Sequence, residues 1–358
     1  MNELTLLEGA RARRNGARRS ALRDCFYHWF SELEAQGEET TFRLGQVRGR
    51  EPEPDWTTLP HHTFDGLGGL HQVLLQRGGW GLELPTLPRP YPGRLERWLA
   101  ALRVLTAPQP RLASFEREVT GAGNRPVSVW ALFTRAETSE LRRLSREAGT
   151  SLNAVFLAAL TAAIRPLLRG ELINWVVPVN MRGVEPDLAP TENQAATLDV
   201  SFPLRATARD IDEKIAAQRR RNLHWGVWQL LEWLGAAGPA VIRFVARREL
   251  RVKKHGSFSN MGNLRPAGAS ADHSQQVEWW MALNPVQRTR PLGAACLTYA
   301  GRLALTLQVH PVLGLDRSSA QQIMDAWVDG LYRPRRAESK STAGTSTLVP
   351  TSGSSNGT

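Results

Sequence analysis

The sequence predicts an α/β protein built on mixed or antiparallel sheets. Strand-like and helix-like runs alternate through the second half of the chain, as in layered α/β architectures. At least one strand pair is joined too tightly for a helical crossover, because "AACLTYAGRLALTLQVH" reverses at Ala300 and Gly301, a hairpin signal. The length of 358 residues, 42% of them hydrophobic, gives room for two lobes of ordinary domain size.

The elements follow from residue spacing. In "RSALRDCFYHWFSELEAQG", Leu22, Phe26, Phe30 and Leu33 recur at helical intervals. "TTFRLGQV" reads as a short strand, and "REPEPDW" as a proline-stiffened connector. "LGGLHQVLLQRG" reads as a short helix stopped by Gly78 and Gly79. A proline-rich loop, "ELPTLPRPYPG", precedes the helical run "RLERWLAALRVL". "VSVWALFTR" is a strand, and "AETSELRRLSREAG" a helix with acids early and arginines late. "TSLNAVFLAALTAAIRPLL" is apolar nearly all round, which predicts a buried helix. "LINWVVPVNMRG", "ATLDVSFPL" and "GSFSNMGNL" read as strands. "DIDEKIAAQRRRNLHWGVWQLLEWLG" reads as one long helix, and "DRSSAQQIMDAWVDGL" as a closing one. The Ser-, Thr- and Gly-rich segment from about residue 336 is expected to be a disordered tail. The expected division is 1–124, 125–335 and the tail 336–358.

The formal net charge is +11 and the pI about 10.6. Nearly all of the excess is arginine, since lysine occurs only at Lys214, Lys253, Lys254 and Lys340. Clusters lie at Arg11 to Arg19, Arg219 to Arg221, and Arg247 to Lys254. Such a balance suits an anionic membrane face, a phosphorylated co-substrate or nucleic acid. It equally suits a surface of solvated arginines. No nucleic-acid module or aromatic–basic interleaving accompanies it, so nucleic acid is not expected. Trp225, Trp228 and Trp233 are expected to be core beside a solvated arginine run; the alternative, for them and for the stretch "AVIRFVARRELRVKK", is an amphipathic surface in peripheral contact with lipid. Two cysteines, Cys25 and Cys296, cannot frame a secreted disulfide scaffold. No signal-like apolar run opens the chain, and no apolar run is long enough to span a bilayer. The expected compartment is the cytoplasm, at most peripheral to a membrane.

"LPHHTFDGLGGL", residues 59–70, is the densest cluster of proton-handling groups. Histidine accepts a proton near pH 7 without help, so His61 could serve as a general base. One ring nitrogen would then face the nucleophile while a backbone carbonyl held the other. Asp65 would lock the turn by pairing with an arginine from elsewhere, and Gly66 would permit a φ that other residues resist. The plainer reading is a polar loop in which Asp65 caps the next helix. A metal site of His61, His62 and His71 is a third reading, but its spacing matches no familiar ligand pattern. The glycines are not a dinucleotide fingerprint.

"PHHTFDG" resembles the HHxxxDG motif of the chloramphenicol-acetyltransferase-like superfamily. That group includes peptide-synthetase condensation domains, wax ester synthase/diacylglycerol acyltransferases and alcohol acyltransferases. The spacing to Asp65 makes His61 the match to the motif's second histidine. Pro60 stands where the first is usual, and His62 falls at a free position. "TSLNAVFLAALTAAI" is similar to the family's "TxNDVxLAAxxxAL", with Asn153 kept and Ala154 in place of aspartate. "VPVNMRG" and "FSNMGNL" are similar to its "VPVSxR" and "SNxxGP" strands.

The resemblance implies a two-lobed fold of the CoA-dependent acyltransferase type, with mixed sheets flanked by helices. The motif lies early in this chain, so the expectation is either an abbreviated first lobe or a chain that lacks its natural start, with a non-catalytic relative that binds an acyl chain or a protein partner as the alternative to an enzyme. It implies direct attack of a small alcohol or amine on an acyl thioester, held on CoA or a carrier protein, with His61 as base in a channel between the lobes. The acyl-CoA or acyl carrier protein is a co-substrate; no permanently bound cofactor and no metal are expected. An ester is the expected product before an amide. Asp65 is implied to pair with Arg182, and Ser259, Asn260 and Asn153 are candidates for oxyanion or substrate contacts.

Overall fold

A computed structural model describes residues 20–49, 53–119, 125–267 and 278–332. The expected tail and the first arginine cluster lie outside the described residues, as does the boundary expected at residue 124.

The core is a six-stranded mixed sheet in the order β5-β13-β12-β9-β7-β8. Its strands are β5 (Val127–Phe133), β7 (Leu172–Asn180), β8 (Ala195–Pro203), β9 (Gly256–Leu264), β12 (Leu292–Tyr299) and β13 (Arg302–Val309); the short strands β3 (Gly81–Leu82) and β10 (Pro266–Ala267) pair with each other, as do β4 (Ser114–Phe115) and β6 (Leu168–Arg169). β9 runs parallel to β7 and β12, and the other pairings are antiparallel. The β12–β13 hairpin turns at Ala300 and Gly301, both at positive φ, as the tight-turn geometry requires.

β12 is buried along its whole length, and its alternation shows why. Ala294 and Cys296 face one core with helices α4 (Arg135–Glu147), α5 (Leu152–Ile164) and α9 (Arg317–Leu331). Ala295 and Leu297 face a second core. A strand covered on both faces loses the polar alternation of a half-exposed one. α5, apolar nearly all round, is buried in the first core, as its sequence predicts.

The second core lies beneath a three-stranded antiparallel sheet in the order β11-β1-β2. It combines β1 (Thr41–Arg48) and β2 (Asp55–Pro60) with β11 (Glu278–Leu283). β11 comes from the far half of the chain and pairs with β1 over Arg43 to Arg48. Neither "DWTTLP" nor "EWWMAL" stands out as a strand in the sequence. The first is short and begins at the proline-stiffened connector. The second has no polar alternation, since five of its six residues are buried.

The remaining helices form a third layer. α1 (Ala21–Ala35), α3 (Arg94–Leu105), α7 (Leu223–Ala237) and α8 (Pro239–Glu249) pack together. The long helix expected from residue 210 is instead two, α6 (Ala208–Arg220) and α7. Asn222 breaks it by adopting a left-handed φ of 58°, which asparagine tolerates better than most residues. Trp225 and Trp228 are buried, so they are core rather than a lipid-facing surface; Trp233 is exposed.

Candidate active site

β2 ends at Pro60, and the chain turns through His61, His62 and Thr63 before α2 (Gly66–Gly78) begins. Within this turn the His61 ring folds back, with Nδ1 3.0 Å from the carbonyl oxygen of Phe64. A carbonyl can only accept, so the proton sits on Nδ1 and Nε2 keeps its lone pair. The ring is half-buried. It stacks on Phe30 of α1 at 4.9 Å and tilts against Phe42 of β1 at 5.3 Å. Burial among these rings lowers the His61 pKa, against the opposing effect of the Phe64 hydrogen bond. The neutral imidazole is therefore favoured.

Asp65 does two things that the sequence offers as alternatives. It is the N-cap of α2, its Oδ1 accepting from the Gly68 N–H at 2.9 Å. It also pairs with Arg182, whose Nη2 lies 2.5 Å from the same oxygen, both side chains being buried. Oδ2 accepts from the Gln194 N–H at 2.9 Å. Arg182 is held in turn by the Pro190 carbonyl and the Asn180 side chain, each at 2.9 Å. Every strong group of this buried pair is thus engaged, which such a pair requires.

Gly66 is not needed for an unusual φ, contrary to expectation, since it opens an ordinary helix. Its neighbour is a flexible one: a Cβ there would lie 2.7 Å from Sδ of Met261 on β9, a side chain that can swing aside. Gly68 is tighter still, with a Cβ 2.0 Å from the Thr191 carbonyl oxygen. The Gly68 contact brings α2 hard against the loop between β7 and β8.

That loop supplies a residue the sequence does not reveal. The side-chain amide of Asn193 donates to the His61 carbonyl at 2.8 Å, and its backbone N–H donates to the Thr63 carbonyl at 2.9 Å. An Asn in a polar loop carries no signal of its own. The next residue upstream, Glu192, forms a two-pronged bond to Arg23 of α1 at 2.7 and 2.8 Å. α1 is thereby fastened to the loop that holds the His61 turn.

The other candidates stand apart. Ser259 and Asn260 lie on β9 beside Met261, but Asn260 Oδ1 is turned onto its own strand, accepting from the Gly262 N–H at 2.9 Å. Asn153 sits in the first turn of α5, which packs on α6 and α9, with Oδ1 buried and without a partner among the described residues. Among the described residues, no hydrogen bond joins any of the three to His61. His62 packs edge-on to Tyr27 at 5.6 Å. His71 uses Nδ1 to accept from the Leu82 N–H at 2.9 Å. No group of three metal-ligating side chains converges among the described residues.

The channel expected beside His61 does not coincide with either of two surface clefts. Two shallow clefts, of about 230 and 280 Å³, adjoin at Leu167 and Leu315, near the C-terminal end of α5 and the start of α9. At His61 the flanks of the ring are occupied by Phe30 and Phe42.

No family model matches the chain, and no curated protein is similar to it. Solved structures are. The cyclization-docking bidomain of the EpoB nonribosomal peptide synthetase from Sorangium cellulosum superposes with a TM-score of 0.50 at 15% identity, over 80% of this chain and 62% of that one. The nonribosomal peptide synthetase FmoA3, bound to α-methyl-L-serine-AMP, superposes with a TM-score of 0.51 at 14% identity, over 78% of this chain and 32% of that one. The chain thus spans less than two thirds of either. Trichothecene 15-O-acetyltransferase from Fusarium sporotrichioides overlaps at 0.49 and 12% identity, over 84% of this chain and 74% of that one. In fold, the chain is similar to these peptide-synthetase structures, a two-lobed α/β architecture with helices flanking mixed sheets.

Proposed function

We propose that the chain is an acyltransferase. It moves an acyl group from a thioester on CoA or a carrier protein to a small acceptor, by direct attack. The observation that carries this reading is the His61 ring, tied through Nδ1–H to the Phe64 carbonyl with Nε2 left basic. In the proposed step, Nε2 takes the proton of the acceptor hydroxyl as its oxygen forms a bond to the thioester carbonyl carbon. The tetrahedral adduct collapses, the C–S bond breaks, and the imidazolium returns the proton to the departing thiolate. Asp65 and Arg182 hold the turn without touching the reacting atoms. Ser259 and Asn260 remain the candidates for donors to the developing oxyanion. A hydroxyl acceptor is preferred to an amine, because a protonated amine must lose an extra proton before attack.

The test is release of free CoA from acyl-CoAs of graded length, with a panel of alcohols and amines. His61→Ala should lower turnover by about 10² to 10⁴, the usual effect of a lost general base. His62→Ala should retain most of it. The reverse order would show that the wrong histidine has been assigned.

A second reading has its own observation. Phe30 lies stacked on His61, which fits a chain that binds an acyl group or a protein partner without turnover. Phe30→Ala separates the two readings. If Phe30 is displaced as substrate enters, the variant should turn over at least as fast as the wild type, with a lower KM. If neither protein releases CoA with any acceptor, the non-catalytic reading stands.

A further inference from the structure

We propose that the outward face of α3 docks on an anionic lipid bilayer. The feature behind this is an inverted helix. Leu95, Trp98, Leu99, Leu102 and Leu105 fall within one stripe about 120° wide on a 3.6-residue helix. In a soluble protein such a stripe faces the core. Here it faces out: Leu95 is 69% exposed, Leu105 62% and Trp98 47%. What α3 buries are Ala100 and Ala101 on the opposite side. They approach α7 so closely that a Cβ on Gly226 would lie 2.5 Å from the Ala100 carbonyl. The small-residue contact fixes the orientation and leaves Leu95, Leu99 and Leu105 exposed, with Leu102 half-buried between them.

A second helix of the same layer also exposes apolar side chains. α3 packs on α7, and α7 on α8. α8 exposes Phe244, at 66%, together with Val241. The charge complements an anionic surface. Arg94 and Arg103 are exposed on α3, and Arg243 and Arg248 on α8, in a chain of net charge +11. Glu96 is the acid on α3, and it is committed to capping the helix, accepting from the Gly93 N–H at 3.0 Å. Leucine and tryptophan on one side, with arginine at the margins, is the composition of a helix that lies in the bilayer interface. No single helix among the described residues is long and apolar enough to cross a membrane, so the contact is peripheral. The inference does not depend on turnover at His61.

The test is co-sedimentation of the full chain with vesicles of phosphatidylcholine alone, or of an equimolar mixture with phosphatidylglycerol. The wild type should bind the mixed vesicles and leave the neutral ones largely free. The triple variant Leu95→Gln, Leu99→Gln, Leu105→Gln should keep its circular dichroism and melting temperature, since the changed side chains are exposed. It should lose about tenfold or more in vesicle affinity. Arg94→Gln with Arg103→Gln should lose roughly fivefold per arginine at low salt, and little at high salt. The proposal is overturned if the wild type ignores anionic vesicles, or if the triple variant binds as well as the wild type. It is also overturned if the wild type sediments as a dimer that the triple variant dissociates, because a second copy of the chain would then cover the face.

Discussion

At the scale of the residue, the site rests on His61 and on the pair that fixes its turn. Because burial lowers the His61 pKa, the acid limb of the rate profile should lie below the ordinary value of about 6.5. The rate should fall tenfold per pH unit below it and stay level above. A limb above 6.5 would mean that the titrating group is not this histidine. Asp65 and Arg182 are buried together, so removing one side strands the other. Asp65→Ala or Arg182→Ala should each cost about 3 to 5 kcal/mol, read from denaturant unfolding. A double variant carrying apolar residues at both positions should recover part of the loss. A cost below about 1 kcal/mol in either single variant would show that the pair is not a clamp. This pairing was legible because two motifs far apart in sequence each carried one partner. Asn193 was not, since its role comes from where the β7–β8 loop crosses the turn. Gly66 was misread: its φ is ordinary, and its close neighbour is the flexible side chain of Met261, which only the tertiary structure brings near.

At the scale of the element, periodicity located most helices and strands, and failed where burial erased alternation. β11 is the clearest case, because a strand covered on both sides looks like any apolar run. The break between α6 and α7 failed for another reason. The arginine run ahead of Asn222 is compatible with helix, and one left-handed residue suffices to turn it. α3 was placed correctly in sequence, yet periodicity cannot say which face of an amphipathic helix looks inward. The answer lies in Gly226, where α7 meets α3 without side-chain bulk. Gly226→Ala would put a methyl within 2.5 Å of backbone atoms of Ala100, and backbone cannot swing aside as a side chain can. The variant should lose about 1 to 3 kcal/mol, with hydrogen exchange accelerating first in α3. A neutral effect on the melting temperature would mean that this helix pair is looser than its geometry implies.

At the scale of the whole molecule, the boundary that the sequence suggests near residue 124 is crossed by hydrogen bonds. β1 finds one neighbour in β2 and the other in β11, more than two hundred residues away along the chain. The pairing is reinforced by a buried contact, in which the Gln46 side-chain amide donates to the Glu278 carboxylate at 2.8 Å. β11 also packs against β12 and β13 of the large sheet. Arg247 of α8 meanwhile grips the buried Glu32 of α1 at 2.7 Å. Neither half can therefore unfold without exposing strand edges and buried polar groups of the other, each of which is costly when left unpaired. The two sheets should accordingly open together. Hydrogen exchange under native conditions should give the same limiting free energy for the amides of β1 and β11 as for those of β12 and β13. Leu44→Asp, in the buried centre of β1, should lower both sets equally. Were β1 and β11 to exchange through a cheaper opening that left the large sheet protected, the small sheet would be a separate folding unit. The division of the chain at residue 124 would then describe its energetics as well as its sequence.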